Sequence, residues 1–380
     1  MTIRTERIHF MKHVLPIILI ICMLLCGCSS QGADTTTTPS TETLPPETTQ
    51  AAPSTEAPTV PTDETTAPTE VTEAAVLFRN PLNGEPIDSV WTARPYAVML
   101  NNIRAAQPLC SLVNADMMFE FLVEGGITRC IALYSDMTDV PHIGSIRSAR
   151  PYFVDVASSY NAIYVHHGGS DDGYAAIRNL DVDDIDSNDA DFYRDQDRLD
   201  AGYSMEHTSF VNGNSLIEAS AEMDYTTQFD NGVDYGYQFA DQGSTSNGQA
   251  ASYVDLRFIP EGKQTILHYD SATDAYTLYQ HGDDVIDGNT NLVVPFKNAL
   301  ILAADTYTYQ KGENIYLDIT LTGSGEGYFI SGGRAVPIIW SKADQYSPFV
   351  FTHEDGTPIT FAVGRTYIAV TEDNLYVEFK

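Results

Sequence analysis

Ala162-Ile163-Tyr164-Val165 runs straight into His166-His167-Gly168-Gly169-Ser170. The apolar run reads as a buried strand, and the glycines after it let the backbone turn tightly or approach a ligand closely. Asp171 to Leu180 then shows helical spacing through Tyr174, Ile177 and Leu180. Upstream, Ser148-Ala149-Arg150-Pro151 reads as a helix start, because Ser can cap and proline is tolerated in the first turn. Tyr152, Phe153, Val156, Ala157 and Tyr160 fall on one face of that helix. Helix, strand, glycine loop and helix in succession predict an α/β layer.

Working outward, Tyr96 to Leu100 is a further apolar run after Pro95. Met117–Val123 and Thr128–Tyr134 read as a hairpin closed at Glu124-Gly125-Gly126. Asp181 to Asp200 is an acidic loop with nine Asp, and residues 215–223 suggest a short helix. The composition turns to Gly, Ser, Asn and Gln around 240–250, and from Ser252 short strands alternate with turns such as Glu354-Asp355-Gly356. One strand is expected over Asn298–Tyr307 and another over Ile315–Thr322. The fold class expected is α+β: an N-terminal α/β domain over residues 76–240, then a mostly β domain over 241–380.

The first 75 residues carry a different message. Arg4, Arg7 and Lys12 precede the apolar run Val14–Leu25, and Leu25-Cys26-Gly27-Cys28 follows. Basic head, apolar middle and small-residue cleavage site make a secretory signal, and the cysteine at its end makes it a lipoprotein signal over residues 1–28. The apolar run is short of the roughly 20 residues of a spanning helix. Cys28 would carry the lipid, each buried methylene contributing roughly 0.8 kcal/mol to membrane attachment. Residues 29–75 are Thr, Pro, Glu and Ala with eight acids and no Lys or Arg, a disordered tether. The expected location is the extracellular face of the cytoplasmic membrane.

The chain carries a formal charge of −32; the tether contributes −8 and the signal +2, which leaves −26 on residues 76–380. So acidic a surface opposes non-specific binding to nucleic acid or an anionic surface. An anionic ligand therefore needs a local basic site. No lysine occurs between Lys12 and Lys263, so every fixed positive charge of the N-terminal globular region is an arginine. Arginine offers a planar five-donor fork that suits carboxylate or phosphate and stays charged when buried. The alternative is that each pairs with one of the many local acids. Cys110 and Cys130 form either a disulfide or two buried thiols.

Several segments together resemble the YerB-type lipoproteins of Gram-positive bacteria. They are Arg94-Pro95-Tyr96-Ala97-Val98-Met99 with Asn102, Ala115-Asp116 with Glu120, Leu122 to Arg129, Ile143 to Tyr152, and Val165 to Ser170. The resemblance covers nearly all of residues 80–380, including Gly325-Glu326-Gly327 and Gly332-Gly333. It implies two domains and, since the family is named for an unknown function, no particular chemistry. It also implies that a Cys110–Cys130 disulfide would not be a family feature.

The leading ligand-site candidates are Arg147, Ser148 and Arg150 at a helix start, where free N–H groups and the helix dipole favour an anion. His166, Gly168, Gly169 and Ser170 form the second group, beyond a strand's carboxyl end. If the two segments neighbour in space they line one cleft, which Glu124, Arg129, Arg194, Arg198 and His207 would join. Glu124, His166 and Asp116 could supply acid–base groups. No nucleophile elbow, zinc-protease helix or Walker loop is present, so binding is favoured over catalysis. Asp184, Asp186 and Asn188 match the first ligands of a calcium loop, but Asp189 stands where it needs Gly and Asp195 where it needs Glu. No cofactor or metal is expected. The reading is a lipoprotein that binds an anionic or polar envelope ligand, with a cell-wall polymer or envelope protein as candidate partner. A wall-glycan or phosphate-polymer enzyme, or a protein-interaction lipoprotein without small ligand, are the alternatives.

Overall fold

The computed structural model describes residues 78–260, 262–372 and 376–380. The signal, Cys28 and the tether lie outside the described residues.

The N-terminal part is built from β1 (Tyr96–Asn101), β2 (Met117–Leu122), β3 (Thr128–Tyr134), α1 (Pro151–Ser159), β4 (Ile163–Val165), α2 (Asp171–Leu180) and β5 (Asp184–Ile185). Every α-helix among the described residues lies before Ala240; after it, regular structure is all strand. The protein is thus α+β, an α/β part followed by a β-rich part. The hairpin of β2 and β3 pairs from Met117↔Leu133 to Leu122↔Thr128. Its loop needs two left-handed residues, Gly125 at φ +80 and Gly126 at φ +70, which only glycine adopts freely.

The β-rich part contributes β6 (Gln249–Ala250), β7 (Tyr253–Arg257), β8 (Gln264–Asp270), β9 (Ala275–Gln280), β10 (Asn298–Ala303), β11 (Thr306–Lys311), β12 (Asn314–Ile319), β13 (Gly323–Ser331), β14 (Arg334–Lys342), β15 (Thr366–Thr371) and β16 (Tyr376–Phe379). The single strand expected over Asn298–Tyr307 is broken at Ala304-Asp305, and its second half joins β12 in a separate ribbon.

The two parts share one sheet. Its order is β6-β14-β13-β10-β15-β2-β3-β1-β4-β5. The join is a parallel pairing of β15 with β2, Thr366↔Met117 through Val370↔Phe121. At the seam Glu120 is fully buried and accepts from Asn102 Nδ2 (2.9 Å), Thr128 Oγ1 (2.7 Å), Gln280 Nε2 (2.8 Å) and Tyr367 Oη (2.7 Å). Lys263 Nζ stands 3.7 Å away, itself buried. A carboxylate with this many donors tolerates burial, and its partners come from both parts.

α1 is buried on all sides from Tyr152 to Ser159, not on one face alone. Lys342 Nζ reaches Asp155 at 2.5 Å, which explains how a charged residue lies within it. Ser148 does not cap the helix: Arg150 occupies the N-cap without a side-chain bond. Ser170 does cap α2, accepting from Gly173 N at 3.0 Å.

Candidate functional site

The segment before α1 runs extended along the exits of β1 and β4. Arg147 N donates to Met99 O (3.1 Å), His167 N to Arg147 O (3.0 Å), Ala149 N to Gly168 O (2.9 Å) and Ser170 N to Ala149 O (3.3 Å). Ser148 Oγ, free of any capping role, donates to His167 O at 3.0 Å. The two predicted segments are therefore neighbours beyond the carboxyl ends of parallel strands β1 and β4. Gly173, one turn into α2, makes the approach possible: a Cβ there would lie 2.9 Å from Ala149 O.

The arginines gather on this side. Arg150 grips Glu124 with two donors, Nε at 2.8 Å and Nη2 at 3.1 Å. Burial pushes the Glu124 carboxyl up, but the Arg150 hydrogen bonds and charge outweigh it and hold it below the usual carboxylate value. Arg147 Nη1 meets Glu206 O and Oε2, both at 3.2 Å. Arg129, on β3, donates Nη1 to Ser148 O at 3.1 Å. It is 6% exposed, and among the described residues no carboxylate lies within 4.0 Å of it. Burial, then the Arg150 and Arg147 charges, push its pKa down to about 10. Among the described residues, the buried donors Arg147 Nε and Tyr164 Oη have no partner. Tyr164 feels the charges of Arg129 and Arg150, although burial dominates and raises its pKa well above normal.

The glycine loop is closed by its own neighbours. Gly168, at φ +67, gives its N–H to Asp186 Oδ1 at 2.7 Å. Gly169 packs against Ala149 and Tyr174. His166 is fully buried, Nδ1 facing Gly168 O (2.9 Å) and Nε2 facing Asp184 Oδ2 (3.0 Å). The backbone amide of Gly168 and the capped start of α2 thus hold the loop's shape, and the charged donors of the site are arginines. Asp184 and Asp186, first in the calcium-like run, serve His166, Gly168 and Tyr174.

Of the outlying residues, Arg194 joins: Nη2 is 3.2 Å from His167 Nε2 and Nη1 donates to Met205 O at 2.8 Å. His207 joins at the edge, its Nδ1 3.0 Å from Asn101 Nδ2. Arg198 does not join. It is buried beside Phe210 and Tyr203, bonded to the Ala106 and Pro108 carbonyls. Asp116 and Glu124 flank opposite ends of β2, about 20 Å apart, and cannot act on one group. Asp116 is tied to Asn83 (2.5 Å) and Ser135 N (2.7 Å). Cys110 and Cys130 are both free and buried. Sequence reasoning missed Tyr164 and Glu206, and noticed Asp186 only as a calcium-loop position; Tyr164 left a signal, since it lies two residues before His166 on the same strand face.

A cavity of about 560 Å³ opens beside the start of α1, lined by Tyr152, Asp155, Asp172, Asn179, Asp318 and Tyr346 among others. Its lining carries three carboxylates and none of the arginines of the cluster.

Residues 82–226 match the family described as "Protein of unknown function (DUF3048) N-terminal domain", and residues 254–368 match its C-terminal domain. The two matches together span more than half of the chain. The chain belongs to the DUF3048 family. It is 27% identical over 308 residues to YerB, a candidate lipoprotein of Bacillus subtilis (strain 168), covering 79% of this chain and 88% of that one. The crystal structure of the YerB protein from Bacillus subtilis superposes with a TM-score of 0.68 at 25% identity, over 79% of this chain and 99% of that one. The YerB-type resemblance and the two-domain DUF3048 architecture stand together. The Glu120 seam described above lies between the segments that match the two DUF3048 domains.

Proposed function

We propose that this protein is a lipid-anchored envelope protein that holds an anionic or polar ligand in the arginine cluster of its N-terminal part. Cys28 would carry the lipid and residues 29–75 would let the globular part stand away from the membrane. The designation of the Bacillus subtilis relative supports the anchor. The observation that carries the ligand reading is Arg129: a cation 6% exposed, with no carboxylate within 4.0 Å among the described residues, and subject to the charges of Arg150 and Arg147. Buried charges are normally paired, so this one is explained most simply by a ligand that supplies the missing anion. Glu124 is held ionised by Arg150 and Asp116 lies at the far end of β2, which favours binding over acid–base catalysis.

Two experiments test this. Palmitate labelling of cells should mark the wild-type chain and not Cys28→Ala; equal labelling removes the anchor. The detergent-solubilised full chain should gain thermal stability in inorganic phosphate at low salt, and Arg129→Gln should not. An equal shift in both proteins would remove the cluster from the binding reaction.

A further inference from the structure

The cavity beside α1 is one half of a longer groove. A second cavity, of about 500 Å³, lies by the ends of α1 and α2, and Leu180 and Tyr346 belong to the walls of both. Each has the size of a small-ligand site, about 300–1,000 Å³. No arginine of the cluster described above lines either one.

Tyr346 stands where the two meet, 58% exposed. The turn that carries it, just after β14, is held in shape. Asp344 Oδ1 accepts from Tyr346 N (2.9 Å), Ser347 N (2.8 Å) and Ser347 Oγ (2.8 Å), and Lys342 Nζ donates to Asp344 O (2.5 Å). A large exposed ring on a fixed backbone loses little entropy when it meets a ligand. A second exposed ring, Tyr307 at 52%, donates its hydroxyl to Asp318 Oδ2 at 2.9 Å, and Asp318 is part of the first cavity's wall.

The remaining polar groups narrow the ligand. Asn179, Thr320, Thr322 and Gln345 line the first cavity and are exposed; among the described residues their side chains have no hydrogen-bond partner. Amides and hydroxyls both donate and accept, as the hydroxyls of a ligand do. Asp155, Asp172 and Asp318 line the same cavity, and Asp171 and Asp344 flank it. Among the described residues the cations within 4.0 Å of these five carboxylates are Lys311 and Lys342. The groove is therefore acidic and repels an anion. A bare cation would leave the four neutral side chains unused.

We propose that this groove binds an uncharged oligosaccharide, one sugar ring stacking on Tyr346 and its neighbour lying in the adjoining cavity. A sugar has an apolar C–H face for the tyrosine. Its rim of hydroxyls donates to the carboxylates and exchanges hydrogen bonds with the amides and threonines. The site is separate from the arginine cluster and adds a second ligand class to the same face-bearing helices, α1 and α2.

Isothermal titration of the detergent-solubilised full chain at pH 7 tests this. The neutral probes are N-acetylated chitotriose, cellotriose and maltotriose; trigalacturonate is the acidic probe and spermidine the cationic one. At least one neutral trisaccharide should bind, roughly tenfold or more tighter than trigalacturonate. Tyr346→Ala should weaken that binding roughly tenfold and Asn179→Ala several-fold. Both residues are exposed, so both variants should fold, with melting temperatures close to wild type. No binding of any neutral trisaccharide would overturn the inference, and spermidine binding in their place would make the groove a cation site. Trisaccharide binding untouched by both substitutions would overturn the assignment to this groove. Trigalacturonate binding as tightly as the neutral sugars would overturn the selection by charge.

Discussion

Replacing Arg129 with methionine is expected to stabilise the ligand-free protein. The side chain is 6% exposed, and burial followed by the Arg150 and Arg147 charges lowers its pKa from the ordinary arginine value to about 10. At 1.36 kcal/mol per unit, this is a cost of about 3 kcal/mol for holding the charged form in the fold. The sign follows from linkage: below pH ~10 the group is charged in both states, so the full cost opposes folding, and it fades only as pH rises through the folded value toward that of a free arginine. Methionine keeps much of the aliphatic stem and discards the charge. Against that gain stands the hydrogen bond to Ser148 O, whose loss costs about 1–2 kcal/mol once a carbonyl is left unpaired. The net expectation is stabilisation by about 1–2 kcal/mol. Urea unfolding at pH 7 would read it as a higher midpoint at unchanged slope. In phosphate the ranking should reverse, because only wild type gains binding energy. A variant less stable than wild type without ligand would refute the reasoning, since Arg129 would then be a structural residue whose charge is already satisfied.

Other outcomes follow from the same geometry. Glu120→Ala should cost about 3–5 kcal/mol by stranding Lys263 and four neutral donors, and Glu120→Gln/Lys263→Met should recover most of it, read by denaturant titration. Full recovery by Glu120→Gln alone would show that the lysine is not held by this carboxylate. Gly173→Ala, which would gain about 1 kcal/mol on an ordinary helix, should instead lower the melting temperature, because its Cβ would meet Ala149 O at 2.9 Å; a rise would mean the two segments are free to part. Asp186 resists burial through donors from Gly168, Tyr174 and Ser187, which hold its pKa below the usual 3.8. Its contribution to stability is complete above the unfolded value and lost as pH falls through the folded one. Wild type should therefore lose more stability between pH 5 and 2 than Asp186→Asn, and parallel curves would assign the acid sensitivity elsewhere.

Much of the site could be read along the chain. Arg147, Arg150, His166 and Gly168 sit in two short segments whose residue types announce a helix start and a strand end, and those segments pair in the fold. Ser148 misled because a hydroxyl before a helix can cap it or bond elsewhere; here the His167 carbonyl lies nearer to it. The glycine loop looked like a ligand cradle, and Asp186, eighteen residues on, takes its amide. A local pattern cannot show that a distant carboxylate already fills the place of a ligand.

Alternation of apolar runs and turns, the glycine pair of the first hairpin and the shift to strand-rich sequence after residue 240 determined the α+β class, because backbone preference and side-chain period act over a few residues. The basic head, apolar run, Cys28 and the Thr- and Pro-rich stretch after it are likewise local features of composition. Strand partners are another matter. Thr366–Thr371 beside Met117–Leu122, nearly 250 residues apart in the chain, turns two sequence domains into neighbours on one sheet. Only there does Glu120 find Gln280 and Tyr367, while Arg129 meets Arg147 and Arg150 through the segment that runs beside β1 and β3. Pairing over such separations is decided by the whole core that it buries, and charge in the arginine cluster is decided by which acids that packing places within reach.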